Sequence, residues 1–275
     1  MKLFRFGAQG TEKPGMVAPN GSLRDASALV PDVSVEAMNT LSGIDPMSLP
    51  EVPEGTRIGA CLAGAPNFFC IGLNYRKHAT EFGAPFPETP IIFSKATSCF
   101  SGPQDDLHLP EGANKADWEV ELGVVIGRDA YQVSEADALG HVAGYCLVND
   151  ISERAYQLEG GGQWVRGKSL PGFGPIGPYF VSADEVPDPQ NLNIWLKLNG
   201  ETMQDSHTSD MIFSVAEIVA DMSKYMGLQA GDIITTGTPS GVGMGLKPQR
   251  FLKDGDVMTL GIDGLGEQRI AVQRG

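Results

Sequence analysis

Basic residues are what this chain has least of relative to need: 20 Lys and Arg stand against 34 Asp and Glu, for a formal net charge of −14. That field repels nucleic acid and anionic membrane surfaces, so neither is an expected partner. Long apolar runs are also missing. No stretch approaches the roughly 20 apolar residues that cross a bilayer. The opening MKLFRFGAQG lacks the apolar run and small-residue cleavage site of a secretory signal. Cysteine is scarce and scattered, at Cys61, Cys70, Cys99 and Cys146. Without paired short spacings these suit reduced thiols in a cytoplasmic protein, not a disulfide framework or a zinc site. An acidic protein that acts on an acidic small molecule must supply a local cation, from a basic pocket or a metal.

Glycine (35) and proline (19) are plentiful, and they punctuate short apolar segments. Residues 1–66 read as a small N-terminal domain and linker. MKLFRFG is a candidate strand, MVAPNGSLRDAS a hairpin turning at Asn20-Gly21, and DPMSLPEVPEGTRIG a connection too proline-rich for regular structure. Residues 67–275 form the larger part. Its candidate strands are NFFCIGL, TPIIFSK, DWEVELGVVIG, VAGYCLVND, NIWLKLNG, GDIITTG and DVMTLGIDG.

One helix is well signalled. Ser214 and Glu217 make a capping box, with Phe213 and Ile218 placed to close a hydrophobic staple. Val215, Ile218, Val219, Met222 and Met226 then form an apolar face, and Gly227 is the expected stop. A weaker helix covers 134–142. The fold class is therefore α+β and mainly β.

The most informative segment runs from Asp117 to Ile126. As a strand it sends Trp118, Val120, Leu122, Val124 and Ile126 to one face, and Glu119 and Glu121 to the other, about 7 Å apart. Two acids side by side repel, so they imply either a solvated face or a hard cation. Asp150 ends the apolar run AGYCLVND and offers a third carboxylate, or else a turn or cap residue. No His or Cys stands at useful spacing. An all-oxygen set points to magnesium, manganese or calcium, and three ligands leave an octahedral ion open to substrate.

GLNYRKHATEFG (72–83), DWEVELGVVIG (117–127), NDISER (149–154), QWVRGKS (163–169) and GDIITTGTPSGVG (231–243) follow one another along the chain. In that order and approximate spacing they resemble the fumarylacetoacetate hydrolase family over residues 66–275, and residues 1–66 resemble the smaller N-terminal region of many members. The resemblance implies a mixed β-roll catalytic domain, a homodimer, and Mg2+ or Mn2+, with Ca2+ as a substitute. It implies Glu119, Glu121 and Asp150 as metal ligands, in agreement with the strand pattern. It further implies a His78–Glu81 dyad on a mobile lid, a catalytic Lys168, and Tyr75, Arg154 and Gln157 in the pocket. Thr238 is implied to contact a substrate carboxylate.

Each residue also has an ordinary reading. His78 and Glu81 share one helical turn, where a surface salt bridge is the usual outcome. Lys168 alone would be a surface lysine in a loop, and Arg154 an i,i+4 partner of Asp150. TTGTPSGVGMG could be a plain turn, or could present its N–H groups to a carboxylate. Residues 162–169 also match the phosphate-loop pattern G-x-x-x-x-G-K-[ST]. That motif needs a strand before it and a helix opening at the lysine. ERAYQLEGG precedes it and the proline- and glycine-rich LPGFGPIGP follows, so nucleotide hydrolysis is rejected.

The expected reaction is metal-dependent hydrolysis of a carbon–carbon bond in an acylpyruvate-like 2,4-dioxo acid, with release of pyruvate. The chain's overall texture is most similar to members acting on 2,4-dioxo-3-deoxy sugar acids such as 2,4-didehydro-3-deoxy-L-rhamnonate. The alternatives are ureidoglycolate lyase and 2-hydroxyhepta-2,4-diene-1,7-dioate isomerase, with a catalytically silent metal-binding protein more remote.

Overall fold

The computed structural model describes residues 1–159 and 161–274. Two sheets dominate it. The larger has nine strands, in the spatial order Leu23–Asp25, Lys13–Val17, Lys2–Phe6, Phe180–Ser182, Val142–Asn149, Val120–Ile126, Ile233–Thr235, Phe68–Gly72 and Ile91–Lys95. Neighbours are antiparallel except for Ile233–Thr235 against Phe68–Gly72. The second sheet has five strands, ordered Glu201–His207, Asn193–Leu198, Val257–Ile262, Gly266–Arg274 and Leu107–Leu109.

The central strand Val120–Ile126 is buried along its whole length, and its side-chain period sorts it between two cores. Trp118, Val120, Leu122, Val124 and Ile126 join the core that includes Leu196, Leu260 and the helix residues Ile218 and Met222. Val125, on the opposite face, shares a core with Val148, Leu3, Met16 and Leu41. The predicted apolar face is thus real, and Trp118, fully buried in it, would cost about 3–5 kcal/mol to truncate to Ala. The other face is not solvated, because the N-terminal segment packs over part of it.

Residues 1–66 do not stand apart. Leu3 pairs with Phe180, which splices the first three strands onto the edge of the large sheet. The hairpin turns as expected: Gly21 takes a φ of 82°, and the Ser22 N–H donates to Asn20 Oδ1 at 3.0 Å.

Helix Val215–Tyr225 carries both capping-box bonds, Glu217 N–H to Ser214 Oγ at 3.2 Å and Ser214 N–H to Glu217 Oε2 at 2.7 Å. Its end differs from expectation. Met226 swings to extended backbone (φ −142°) while its N–H still bonds Met222 O, and Gly227 takes no left-handed conformation. The second helix is shorter than predicted. It spans Glu135–Ala138, tightens into a single 3-10 turn at Leu139–His141, and gives way at Val142, which the sheet recruits.

Candidate active site

Antiparallel pairing is what brings the acids together. Val148 lies opposite Glu121 and Asn149 opposite Val120, and beyond the ladder the Asp150 N–H donates to Glu119 O at 2.8 Å. The Glu119 N–H is taken by the Asn149 side chain at 3.1 Å, so the strand breaks at Trp118–Glu119 instead of running unbroken from Asp117. One oxygen from each of Glu119, Glu121 and Asp150 lies within 4.8 Å of the others. Their exposures are 5 %, 2 % and 0 %, which rules out a solvated acidic face.

Burying like charges needs cations, and three arrive from distant segments. Lys168 Nζ bonds Glu119 Oε2 and Asp150 Oδ2, each at 2.6 Å. Lys95 Nζ holds Asp150 Oδ1 at 2.5 Å and donates to the carbonyls of Ile151 and Phe173. Arg154 reaches Glu119 Oε1 at 2.7 Å and Asp117 Oδ2 at 2.8 Å. Burial pushes the Glu119 carboxyl up, but Lys168 and Arg154 together override it and hold the group at about 2. Glu121 moves the other way. Burial, and then the charges of Asp150 and Glu119, push it well above the usual carboxylate range. Its hydrogen-bond donor is the Gly237 N–H at 2.8 Å. A buried carboxylate beside two others, all offering oxygen, is a set that could hold a divalent metal, and a hard cation is the charge Glu121 lacks.

Lys168 is neither exposed nor in an open loop. It ends the short helix Val165–Lys168 and is 2 % exposed. Any side chain at Gly167 would strike the backbone of Glu153 and Gln157, so glycine lets this turn press against helix Arg154–Leu158 and drive the lysine inward. The phosphate-loop match fails structurally as well, since the helix closes at the lysine instead of opening there. Arg154 is not a partner of Asp150. It lies in the helix that Glu153 caps and turns toward Asp117, with Nη1 donating to Gln157 Oε1 at 3.1 Å.

The dyad forms, and it is not a surface salt bridge. His78 Nδ1 lies 3.0 Å from Glu81 Oε2, the histidine is 7 % exposed, and the Gly241 N–H donates to the other glutamate oxygen at 3.0 Å. The glycine-rich segment does bind carboxylates, but they are the protein's own. Gly237 serves Glu121, Gly241 serves Glu81, and the N–H groups of Gly243 and Met244 serve Asp117 at 2.7 and 3.0 Å. Gly245 has no room for a Cβ because the Glu81 carboxylate packs against it. The Thr238 hydroxyl donates to Val120 O at 3.1 Å and accepts from Gln204 Nε2 at 2.8 Å.

One cavity of about 200 Å³ gathers His78, Glu119, Glu121, Arg154, Gln157, Lys168 and Thr238 in its walls. Asp150 lies behind it, fully buried against the two lysines. Tyr75 is not among the lining residues. Its ring is fully buried and its hydroxyl has no hydrogen-bond partner among the described residues, while burial first and the Glu121 charge second push its pKa up. Sequence reading missed Lys95, Gln204, Phe93 and Trp164. Lys95 closes an apolar strand, and a cation there was the available signal; the others carry none.

Residues 67–273 match the family described as fumarylacetoacetate (FAA) hydrolase, C-terminal. A protein of Burkholderia ambifaria, provisionally named a hydrolase, is 54% identical over 274 residues, covering 98% of this chain and 97% of its own. Three solved structures are similar over 100% of this chain. Fumarylacetoacetate hydrolase from Exiguobacterium antarcticum has a TM-score of 0.88 at 35% identity, over 100% of its chain. A 2-hydroxyhepta-2,4-diene-1,7-dioate isomerase from Mycobacterium marinum has 0.79 at 30%, over 98% of its chain. Maleylpyruvate hydrolase from Sphingobium sp. SYK-6, in complex with manganese(II) and pyruvate, has 0.82 at 27%, over 100% of its chain. With a profile match over three quarters of its length and relatives this similar from end to end, the chain belongs to the fumarylacetoacetate hydrolase family.

Proposed function

We propose that this protein hydrolyses the C3–C4 bond of a 2,4-dioxo acid. The single observation that carries the reading is the meeting of an oriented His–Glu dyad, a buried ammonium and the carboxylate cluster around one small cavity. The overall change is R–CO–CH2–CO–COO⁻ plus water to R–COO⁻, CH3–CO–COO⁻ and a proton. Glu119, Glu121 and Asp150 would hold the metal. When bound, Mg2+ or Mn2+ would supply positive charge beside the acid head of the substrate and ease the build-up of negative charge there.

The remaining steps belong to the chain's own groups. Glu81 binds the Nδ1 side of His78 and leaves Nε2 to take a proton from water, whose oxygen then attacks C4. The ammonium of Lys168 has three N–H groups; two go to Glu119 and Asp150, and one is left to meet the oxyanion formed at C4. Collapse breaks C3–C4, the electron pair passes to the pyruvate fragment, and the His78 imidazolium returns its proton to C3. Arg154 and Gln157 border the same space and orient the acid.

The test is incubation with Mg2+ or Mn2+ and a 2,4-dioxo acid, with pyruvate read by a coupled lactate dehydrogenase assay. Metal-dependent pyruvate release is expected. A rearranged dioxo acid of unchanged mass, or turnover of ureidoglycolate with no pyruvate from any dioxo acid, would replace hydrolysis by isomerisation or lyase chemistry. The acid head is common to acylpyruvates and to the 2,4-dioxo-3-deoxy sugar acids favoured by the sequence. The two differ in the tail beyond C4.

A further inference from the structure

We infer that the tail beyond C4 is a short alkyl or aryl group without hydroxyls and without a second carboxylate; this rests on the hydrolase reading above. The polar groups of the cavity are bonded within the protein: Glu119, Lys168, Arg154 and Gln157 form a network, His78 is tied to Glu81, Glu121 to the Gly237 N–H and Thr238 to Gln204. Away from that network the walls are Leu73, Phe82, Ala84, Phe93, Leu158 and Trp164. Trp164 sits so close to the backbone that a Cβ at Gly72 would collide with its ring, and it meets Phe93 edge-on at 5.1 Å and 68°. Phe93 also carries the Lys168 ammonium 5.1 Å from its ring centre. The aromatic wall therefore begins beside the group proposed to meet the C4 oxyanion, where the tail must start.

A distal carboxylate would need a cation of its own, and the only lysine and arginine lining the cavity among the described residues, Lys168 and Arg154, sit at the acid end, paired with Asp117, Glu119 and Asp150 and turned to the substrate's head. Tail hydroxyls would leave water for walls with little to accept or donate, and unpaired buried polar groups discriminate strongly against a ligand. The cavity's size, about 200 Å³, is below the roughly 300–1,000 Å³ usual for drug-sized ligands, which favours a short tail.

The experiment measures kcat/KM of the Mn2+-loaded protein on 2,4-dioxopentanoate, 2,4-dioxoheptanoate, 4-phenyl-2,4-dioxobutanoate, maleylpyruvate and a 2,4-dioxo-3-deoxy sugar acid. A rise of about three- to fivefold per added CH2 is expected until the cavity fills. The dicarboxylate and the sugar acid should fall at least about tenfold below the best alkyl or aryl substrate. Equal or faster turnover of either one overturns the inference while leaving hydrolysis intact.

Binding separates the two claims further. By calorimetry, 2-oxohexanoate should bind the Mn2+-loaded protein at least about tenfold tighter than 2-oxoadipate, and neither is a dioxo acid that can be cleaved. The reverse order overturns the apolar tail; loss of all pyruvate release with this order kept overturns hydrolysis alone. Leu158→Arg, at a position 45% exposed, should move the preference toward maleylpyruvate by about tenfold. No shift in this variant, with its folding intact, also counts against the assignment.

Discussion

The two ends of the cavity are built on opposite principles. The carboxylate end sits on the large sheet's central strands, Val120–Ile126 and Val142–Asn149, which are paired on both sides. Lysine ammoniums, a guanidinium or a backbone N–H bond its carboxylates. The other end is carried by the six-residue helix Arg76–Glu81, whose N-cap Tyr75 makes no side-chain capping bond. Six residues are too few to hold helical form unaided. Tertiary bonds hold this helix instead: the Asn74 side chain donates to the carbonyls of Phe213 and Thr236, and Glu81 is held by the glycine-rich segment. Phe82 and Leu158 at the mouth remain 38% and 45% exposed. The difference teaches that the carboxylate end is rigid, whereas His78 depends on an element that other segments hold in place.

The largest expected effect tests the rigid end. Asp150→Ala leaves Lys95 and Lys168 buried and short of a carboxylate, so the metal-free protein should lose about 3–5 kcal/mol in urea denaturation. A loss no greater than that of a surface acid would show that the site is not held as described. His78→Ala tests the other end: kcat should fall about 10²–10⁴-fold, while Mn2+ affinity measured by calorimetry stays within about twofold. If both fall together, the two ends are not separable.

The pH response sharpens the contrast. Glu121 is raised when folded, so in the metal-free protein its contribution is fully present below its ordinary 4.5 and is lost as pH rises through the folded value. Mn2+ must displace that proton, so affinity should climb up to about tenfold per pH unit over the same window and then level off. Glu121→Gln should flatten the slope, and calorimetry in buffers of different ionisation enthalpy counts the released proton. The smallest effect lies outside both ends. Ser214→Ala removes the capping side chain of helix Val215–Tyr225 and should cost about 1 kcal/mol with kcat/KM unchanged. A fall in rate would mean that this helix, too, props the site.

Much of the site was legible because it is local. The period of two along Trp118–Ile126 sorts apolar residues from Glu119 and Glu121 whatever the sheet does with them, and the three-residue spacing of His78 and Glu81 is a helical turn by itself. Other readings failed for an equally physical reason. Lys168 looks like a surface lysine until Gly167 allows its turn to pack on helix Arg154–Leu158, and Arg154 looks like a partner of Asp150 until Asp117 offers a better-placed acid. The N–H groups of the glycine segment were legible as carboxylate binders, but their use on Glu81, Glu121 and Asp117 was not.

By itself, then, the sequence determined which residues could be ligands and base, their order along the chain, and the mainly β class, since these follow from spacing and local periodicity. Only the tertiary structure decided their charge states and surroundings. Lys168 meets Glu119 from 49 residues away, and Gly241 meets Glu81 across 160. Burial and ion pairing arise from such distant encounters, and they alone separate a buried carboxylate cluster from a solvated acidic strand, and an apolar cavity wall from a polar one.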